Sequence, residues 1–115
     1  MKYYICPVCG YDKIDSQPYS IYGNPSYNIC DCCGFEYGYS EDFEVKHKAI
    51  KLPKSSLKWA FKQYLIEWIN NGCIVFSEDE FTDEEIENGK LKPYVLNKQL
   101  ERIGLTLNEL NINLN

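Results

Sequence analysis

Five of the six cysteines stand in two short stretches of the chain, and their spacing is typical of metal binding. The stretches read ICPVCGYD, residues 5–12, and ICDCCGFE, residues 29–36. In a Cys-x-x-Cys-Gly unit, a tight turn brings two thiolates to one ion and points backbone N–H groups at them. Glycine follows the second cysteine because it reaches positive φ without steric cost. Two such units, each called a knuckle, predict four thiolates around a single ion.

The second stretch has three cysteines in four positions, and an internal repeat indicates which two of them are metal ligands. At an offset of 24 residues, its first and last cysteines fall on cysteines of the first stretch, whereas Cys32 falls on Val8. Cys32 is therefore predicted to be a spare thiol that points away from the ion. Its replacement of Cys33 as a ligand is the alternative. The predicted metal ligands are Cys6, Cys9, Cys30 and Cys33.

A closed set of four thiolates is typical of a structural Zn²⁺ site, with Zn–S distances of about 2.3 Å. Such a set leaves no open position at which the ion could activate water, so the site is predicted to be non-catalytic. Iron is the alternative to zinc because tetrahedral sulfur suits both metals. A disulfide framework or a redox dithiol is less favoured, because the chain has no export signal and Cys6 leaves little room for a preceding strand.

Two further residues with metal-binding chemistry are assigned ordinary structural roles. Cys73 stands alone before the apolar run Ile74–Phe76, which predicts a small buried hydrophobic side chain. His47 is the only histidine, and it lies between two lysines, which predicts a solvated side chain rather than a fifth ligand.

Residues 2–11, KYYICPVCGY, resemble the first knuckle of rubredoxins, and residues 30–34 match the spacing of the second. The resemblance implies one iron bound by the four predicted ligands and the transfer of single electrons. This chain departs from the family by a shorter interval between knuckles, by Asp31 in place of a proline, and by tryptophans that come later, at Trp59 and Trp68. These departures favour zinc.

A broader resemblance joins the two knuckles, the sequence FEYG at residues 35–38, and a later helix that contains Trp68-Ile69 and closes at Gly72. In this order the features resemble a group of small uncharacterised bacterial zinc-ribbon proteins. The resemblance implies a zinc ribbon and no particular activity.

Composition and charge restrict the class of protein. The chain has 115 residues, 44% hydrophobic and 25% charged, as expected for one small domain. Its net charge of −5 opposes long-range attraction to phosphates, which disfavours nucleic acid as the main partner. No apolar run approaches the roughly 18 residues that span a bilayer, and no signal-peptide core precedes the first knuckle. We therefore expect a cytoplasmic protein without a membrane partner.

The predicted fold class is α+β within a single domain, residues 1–115. A small N-terminal β part, residues 1–45, is expected to be zinc-ribbon or rubredoxin-like and to pack against a helical part, residues 46–115. Apolar residues recur at intervals of three and four between Ser55 and Asn71, which predicts the first helix. The other predicted elements are an irregular hairpin at Gly23-Asn24-Pro25, a short helix from the capping box at Thr82 to Gly89, and a helix from Pro93 to Ile103 closed by Gly104.

No catalytic set accompanies the metal ligands, so the preferred function is a zinc-binding protein interaction module, with an inhibitor or immunity-type factor against a basic partner as one form. The acidic run EDEFTDEEIE, residues 78–87, carries seven carboxylates and no base. The alternatives are a rubredoxin-like iron electron carrier and a nucleic-acid-binding ribbon that uses a stripe of lysines. Those lysines are Lys46, Lys48, Lys51, Lys54, Lys58 and Lys62.

Overall fold

The computed structural model describes residues 3–39 and 57–110, with side chains from residue 60 onward in the second range. Regular secondary structure within these ranges is sparse and lies in the C-terminal part. The elements are helix α1 (Leu57–Asn70), a 3₁₀ turn (Glu78–Glu80), strands β1 (Ile86–Glu87) and β2 (Lys90–Leu91), and helix α2 (Pro93–Arg102).

Residues 3–39 are held by turns and single bridges rather than by extended strands. Each knuckle turns the chain back after one bridge, so no ladder within residues 3–39 grows beyond a single pair. The predicted connector turn is present, since Gly23 has φ +83° and donates its N–H to the Ser20 carbonyl at 2.8 Å. The bridges in this segment pair Tyr4 with Ile14, Tyr19 with Pro25, and Ile29 with Glu36.

The sequence repeat is also a repeat of backbone conformation. In the first knuckle the Cys6 N–H donates to the Tyr11 carbonyl at 2.8 Å, and the Gly10 N–H donates to the Cys6 carbonyl at 2.9 Å. The glycine that ends each knuckle has positive φ, as predicted. The second knuckle repeats both bonds at the same offset, from Cys30 N–H to Phe35 and from Gly34 N–H to Cys30, each at 2.9 Å.

Helix α1 buries one apolar stripe and ends at a glycine cap. Leu65, Trp68 and Ile69 are buried at intervals of three and four. Gly72, at φ +105°, lets the Cys73 N–H return to the Trp68 carbonyl at 3.0 Å, which satisfies a carbonyl of the last turn. The predicted helix is therefore confirmed from Leu57 onward, and its predicted start at Ser55 lies outside the described residues.

The predicted short helix from Thr82 to Gly89 was wrong, because these residues form a turn and the first strand of a hairpin. The Thr82 N–H donates to the Glu85 carboxylate at 2.9 Å, as in a capping box, but only one turn follows. Asn88 and Gly89 have φ of +53° and +76°, a left-handed pair that ends any helix and forms the tight turn between β1 and β2. Asn-Gly is a strong hairpin signal, and it outweighs the capping box here.

Helix α2 follows the prediction closely. Pro93 opens it, where the missing N–H costs nothing, and Gly104 at φ +74° follows its last residues. Its buried face consists of Leu96, Gln99 and Leu100. The predicted end at Ile103 differs from the observed end by one residue.

Both parts of the chain contribute to one cluster of buried side chains. Aromatic rings fill the space between the second knuckle and α1, where Phe35 lies edge-on to Tyr64 at 4.9 Å and to Phe61 at 5.3 Å between ring centroids. Rings of this size let a segment with few aliphatic residues bury a large area. No helix in the described part of the chain is both long and apolar enough to cross a bilayer.

A comparison of two glycine substitutions tests the contact between α2 and the first knuckle. A Cβ at Gly10 would lie 1.9 Å from the Gln99 carbonyl oxygen, whereas a Cβ at Gly104 would meet nothing within 4 Å. Both have positive φ, so both substitutions incur backbone strain of about 1 kcal/mol. We expect Gly10→Ala to lower the free energy of unfolding in urea by more than about 3 kcal/mol and Gly104→Ala by only the strain. Equal losses would contradict the contact.

Candidate metal centre

The structure brings together the four cysteines that the repeat selects. Their Sγ atoms all lie within 4.8 Å of one another, with 4.0 Å between Cys6 and Cys33 and 3.7 Å between Cys9 and Cys30. Four sulfurs at about 2.3 Å from a central ion would be about 3.8 Å apart. A disulfide needs about 2.05 Å, and all six cysteines are free. The four sulfurs are therefore positioned to bind one metal ion.

Each knuckle supplies one backbone donor to its first sulfur. The Val8 N–H lies 3.4 Å from Cys6 Sγ, and the Cys32 N–H lies 3.4 Å from Cys30 Sγ. The two bonds are related by the 24-residue offset, so the duplicated sequence produces duplicated polarity at the sulfurs. N–H groups aimed in this way stabilise negative charge on the thiolates.

Burial makes the four thiolates dependent on a cation. The cysteines are between 0% and 3% exposed. Burial raises the pKa of Cys9 and Cys33, since it removes the solvation of the charged form. Burial also opposes ionisation of Cys6, but hydrogen bonds from the neighbouring thiols outweigh it and lower the pKa of Cys6. Four thiolates in one buried site would need a compensating cation, and a set of four sulfur donors fits a thiophilic metal ion.

Cys32 lies apart from this set, on the side of its knuckle that faces α2. Its side chain is buried, and its sulfur lies 3.5 Å from Nε2 of Gln99. It occupies the position of Val8 in the repeat, where the first knuckle also buries its side chain. The structure thus places Cys32 as a core side chain beside the site.

Helix α2 holds the first knuckle through polar side chains that the sequence reasoning missed. Gln99, only 2% exposed, donates from Nε2 to the Cys9 carbonyl at 3.1 Å. Arg102 donates to the Gly10 carbonyl at 3.0 Å and lies 3.4 Å from the Asp12 carboxylate. A signal was available, because Gln99 falls on the same helical face as the apolar residues at positions 96, 100 and 103.

The second knuckle is held in the same way by α1 and by the chain after it. The Tyr64 hydroxyl donates to the Cys33 carbonyl at 2.9 Å, which is the repeat equivalent of the carbonyl that Gln99 binds. The N–H groups of Phe76 and Ser77 donate to the Cys32 and Asp31 carbonyls at 3.1 and 2.9 Å. Both knuckles are therefore covered by C-terminal residues, and their conformation is coupled to the docking of the helices.

Other residues singled out in the sequence lie away from the site or outside the described residues. Cys73 is buried, as predicted, and burial raises its pKa to about 11, so it is an unreactive thiol at neutral pH. His47 lies outside the described residues. Lys62 is exposed on α1, and the other side chains of the lysine stripe lie outside the described part of the structure.

Fold and site together define a small protein in which four buried cysteines, contributed by two duplicated turns, are positioned to bind one metal ion. The chain is 37% identical over 113 residues to the uncharacterized protein YoaQ of Bacillus subtilis (strain 168), which covers 96% of this chain and 95% of YoaQ. It is 38% identical over 107 residues to the uncharacterized protein YozI of the same organism, covering 90% and 88% of the two chains. The chain belongs to the family of YoaQ and YozI. No family model and no solved structure matches it.

Serine substitutions test the ligand set directly. We expect each of Cys6→Ser, Cys9→Ser, Cys30→Ser and Cys33→Ser to reduce bound metal well below one ion per chain, because a hydroxyl is a poor ligand for a thiophilic ion. The same variants should lose about 3 kcal/mol or more of stability. Metal analysis and thermal unfolding measure both effects. Cys32→Ser is the control and should retain the metal; the reverse pattern at positions 32 and 33 would show that the wrong sulfur was chosen.

Replacement of Gln99 tests the coupling between α2 and the metal centre. Gln99→Leu keeps the volume but leaves the Cys9 carbonyl without its donor, so we expect a loss of about 1–3 kcal/mol in urea unfolding. Metal transfer to a chromogenic chelator should also become faster. The exposed Asn97 on the same helix provides the control Asn97→Leu, which should stay within about 0.5 kcal/mol. Similar behaviour of the two variants would show that the buried amide is dispensable.

Proposed function

We propose that this protein is a zinc-stabilised, non-catalytic interaction module of zinc-ribbon type. Cys6, Cys9, Cys30 and Cys33 would hold Zn²⁺ and fill its tetrahedral coordination, which leaves no position for water or substrate. Burial of all four cysteines beneath the helices supports a structural role. When bound, the ion supplies folding free energy to a segment that has few extended hydrogen-bond ladders.

The surface proposed to bind the partner is the strip Ile74–Glu80. Ile74 and Phe76 are 57% and 59% exposed, an unusual state for large apolar side chains that sit close together. The three residues of the following 3₁₀ turn, Glu78–Glu80, are acidic and exposed. The strip therefore combines apolar area with negative charge.

The observation that carries the proposal is the attachment of this strip to the metal centre. Phe76 and Ser77 donate backbone N–H groups to the second knuckle, and the Ser77 hydroxyl donates to the Asp31 carboxylate at 2.9 Å. The Phe76 ring also lies against Gly34, where a Cβ would come within 3.3 Å of it. A metal that fixes the knuckle would thereby fix the binding strip, which lowers the entropy cost of association.

A groove beside the strip indicates the chemistry of the partner. It encloses about 220 Å³, and its lining combines aromatic and aliphatic side chains with a carboxylate. Such a groove suits an apolar side chain that has a lysine or arginine beside it, and the net charge of −5 would speed the approach of a basic protein. An inhibitor or immunity-type role against a basic enzyme is one form of this function. The lining residues are Tyr64, Glu67, Trp68, Asn71 and Ile74.

Metal analysis separates the proposal from its two alternatives. Protein purified without added metal should be colourless and contain one zinc per chain. A red protein with iron and a reversible one-electron reduction would instead identify a rubredoxin-like carrier, which the same four sulfurs also suit. Binding to DNA or RNA that weakens steeply with salt would favour the lysine stripe as a nucleic-acid contact.

The partner surface is tested by affinity capture followed by titration of the captured protein. We expect a basic protein whose Kd rises at least about tenfold on Phe76→Ala, because a desolvated aromatic anchor is lost. Charge reversal at Asp79 should slow association in a salt-dependent manner. Ile21→Ala is the control, since Ile21 is an exposed apolar residue outside the strip. A partner whose affinity is unchanged by Phe76→Ala and Asp79→Lys would contradict this surface.

A further inference from the structure

The hydroxyl of Tyr37 stands out among the described residues as a buried side-chain oxygen without a hydrogen-bond partner. The residue is completely buried, and its backbone is fixed by an N–H bond to the Asn28 carbonyl at 3.0 Å. Its ring packs against Phe35 at 5.6 Å and Tyr19 at 5.8 Å between centroids. A phenol held this firmly in the core, with its polar end unpaired, costs free energy unless a partner is supplied.

The Tyr37 hydroxyl interacts electrostatically with sulfurs of the metal centre. Burial raises the pKa of Tyr37, and the charges of Cys6 and Cys30 raise it further. The Tyr37 hydroxyl interacts with the Cys6 side chain, although the pair falls short of full hydrogen-bond geometry. A donor aimed at a ligand sulfur becomes a strong partner once that sulfur is a thiolate.

The repeat shows that this donor is not part of the duplicated knuckle. The residue equivalent to Tyr37 at the 24-residue offset is Lys13, which is exposed. Tyr37 therefore adds a contact from the second half of the repeat to the first sulfur of the first half. Cys6 already receives the Val8 N–H, so its sulfur would then accept two hydrogen bonds.

We propose that Tyr37 is a positioning residue of the metal centre, whose O–H donates to the Cys6 thiolate when four thiolates hold the ion. This inference rests on the metal site of the proposed function. The bond would reduce the excess charge of the sulfurs inside a low-dielectric core and orient Cys6 toward the ion. Loss of such an outer contact commonly weakens metal affinity about 10–100-fold.

Cobalt substitution tests the proposal with Tyr37→Phe and a matched control. Tyr94→Phe also removes a phenol oxygen that binds a backbone carbonyl, but Tyr94 is exposed and its partner is Glu84, outside the metal centre. We expect Tyr37→Phe to weaken Co²⁺ binding about 10–100-fold in chelator competition. It should also move the sulfur-to-cobalt charge-transfer band to lower energy, because the Cys6 thiolate becomes more electron-rich. Tyr94→Phe should leave the band in place.

A second measurement uses the unaltered chain and so does not depend on the folding of a variant. In protein loaded with ¹¹³Cd, the Tyr37 hydroxyl proton should show a correlation to the metal through the hydrogen bond. Absence of this correlation, or an unchanged band and affinity in Tyr37→Phe, would overturn the role of Tyr37 alone. Absence of a tetrahedral Co²⁺ spectrum in the unaltered protein would instead overturn the metal site itself.

Discussion

The packing of the rest of the molecule depends on four sulfurs that lie within 4.8 Å of one another in a buried site. Desolvation opposes their ionisation, and mutual repulsion would oppose it further. A cation bound among them would reverse both effects, and the two knuckles would then gain stability from the ion rather than from a sheet or an aliphatic core. The N–H groups of Val8 and Cys32 point at the sulfurs of Cys6 and Cys30, so both knuckles stabilise their first sulfur in the same way.

The C-terminal part completes the site from outside by binding the carbonyls of the knuckles. Equivalent carbonyls, those of Cys9 and Cys33, receive side-chain donors from different helices, Gln99 of α2 and Tyr64 of α1. The same acceptor in the two turns is therefore bound by two different helices and by two different types of side chain. Helix α1 lines most of the proposed groove, and the proposed strip follows it and contacts the second knuckle, so a bound metal and the binding surface would be coupled.

The position of the four cysteines was predictable because knuckle chemistry is local: the spacing, the glycine and the repeat all lie within a few residues. The boundaries of α2 were predictable for the same reason, from Pro93 and Gly104. The prediction of a helix from Thr82 to Gly89 was wrong because a capping box and an Asn-Gly turn lie within the same eight residues. The positive φ of Asn88 and Gly89 makes this segment a hairpin, with strands at Ile86–Glu87 and Lys90–Leu91. The roles of Gln99, Arg102 and Tyr37 depend on which distant segment packs against them, and a polar residue on an apolar face is a faint signal of such a partner.

Gly10 leads to a last consequence. Because the backbone of α2 touches this glycine directly, no layer of side chains separates the helix from the turn that carries two sulfurs. Side chains between two elements can accommodate small displacements by changing rotamers. A direct contact between two backbones cannot adjust in this way. If the four sulfurs hold an ion, its removal would therefore displace the whole helix together with the turn. A chelator that removes the ion should expose the C-terminal half to proteases at nearly the same rate.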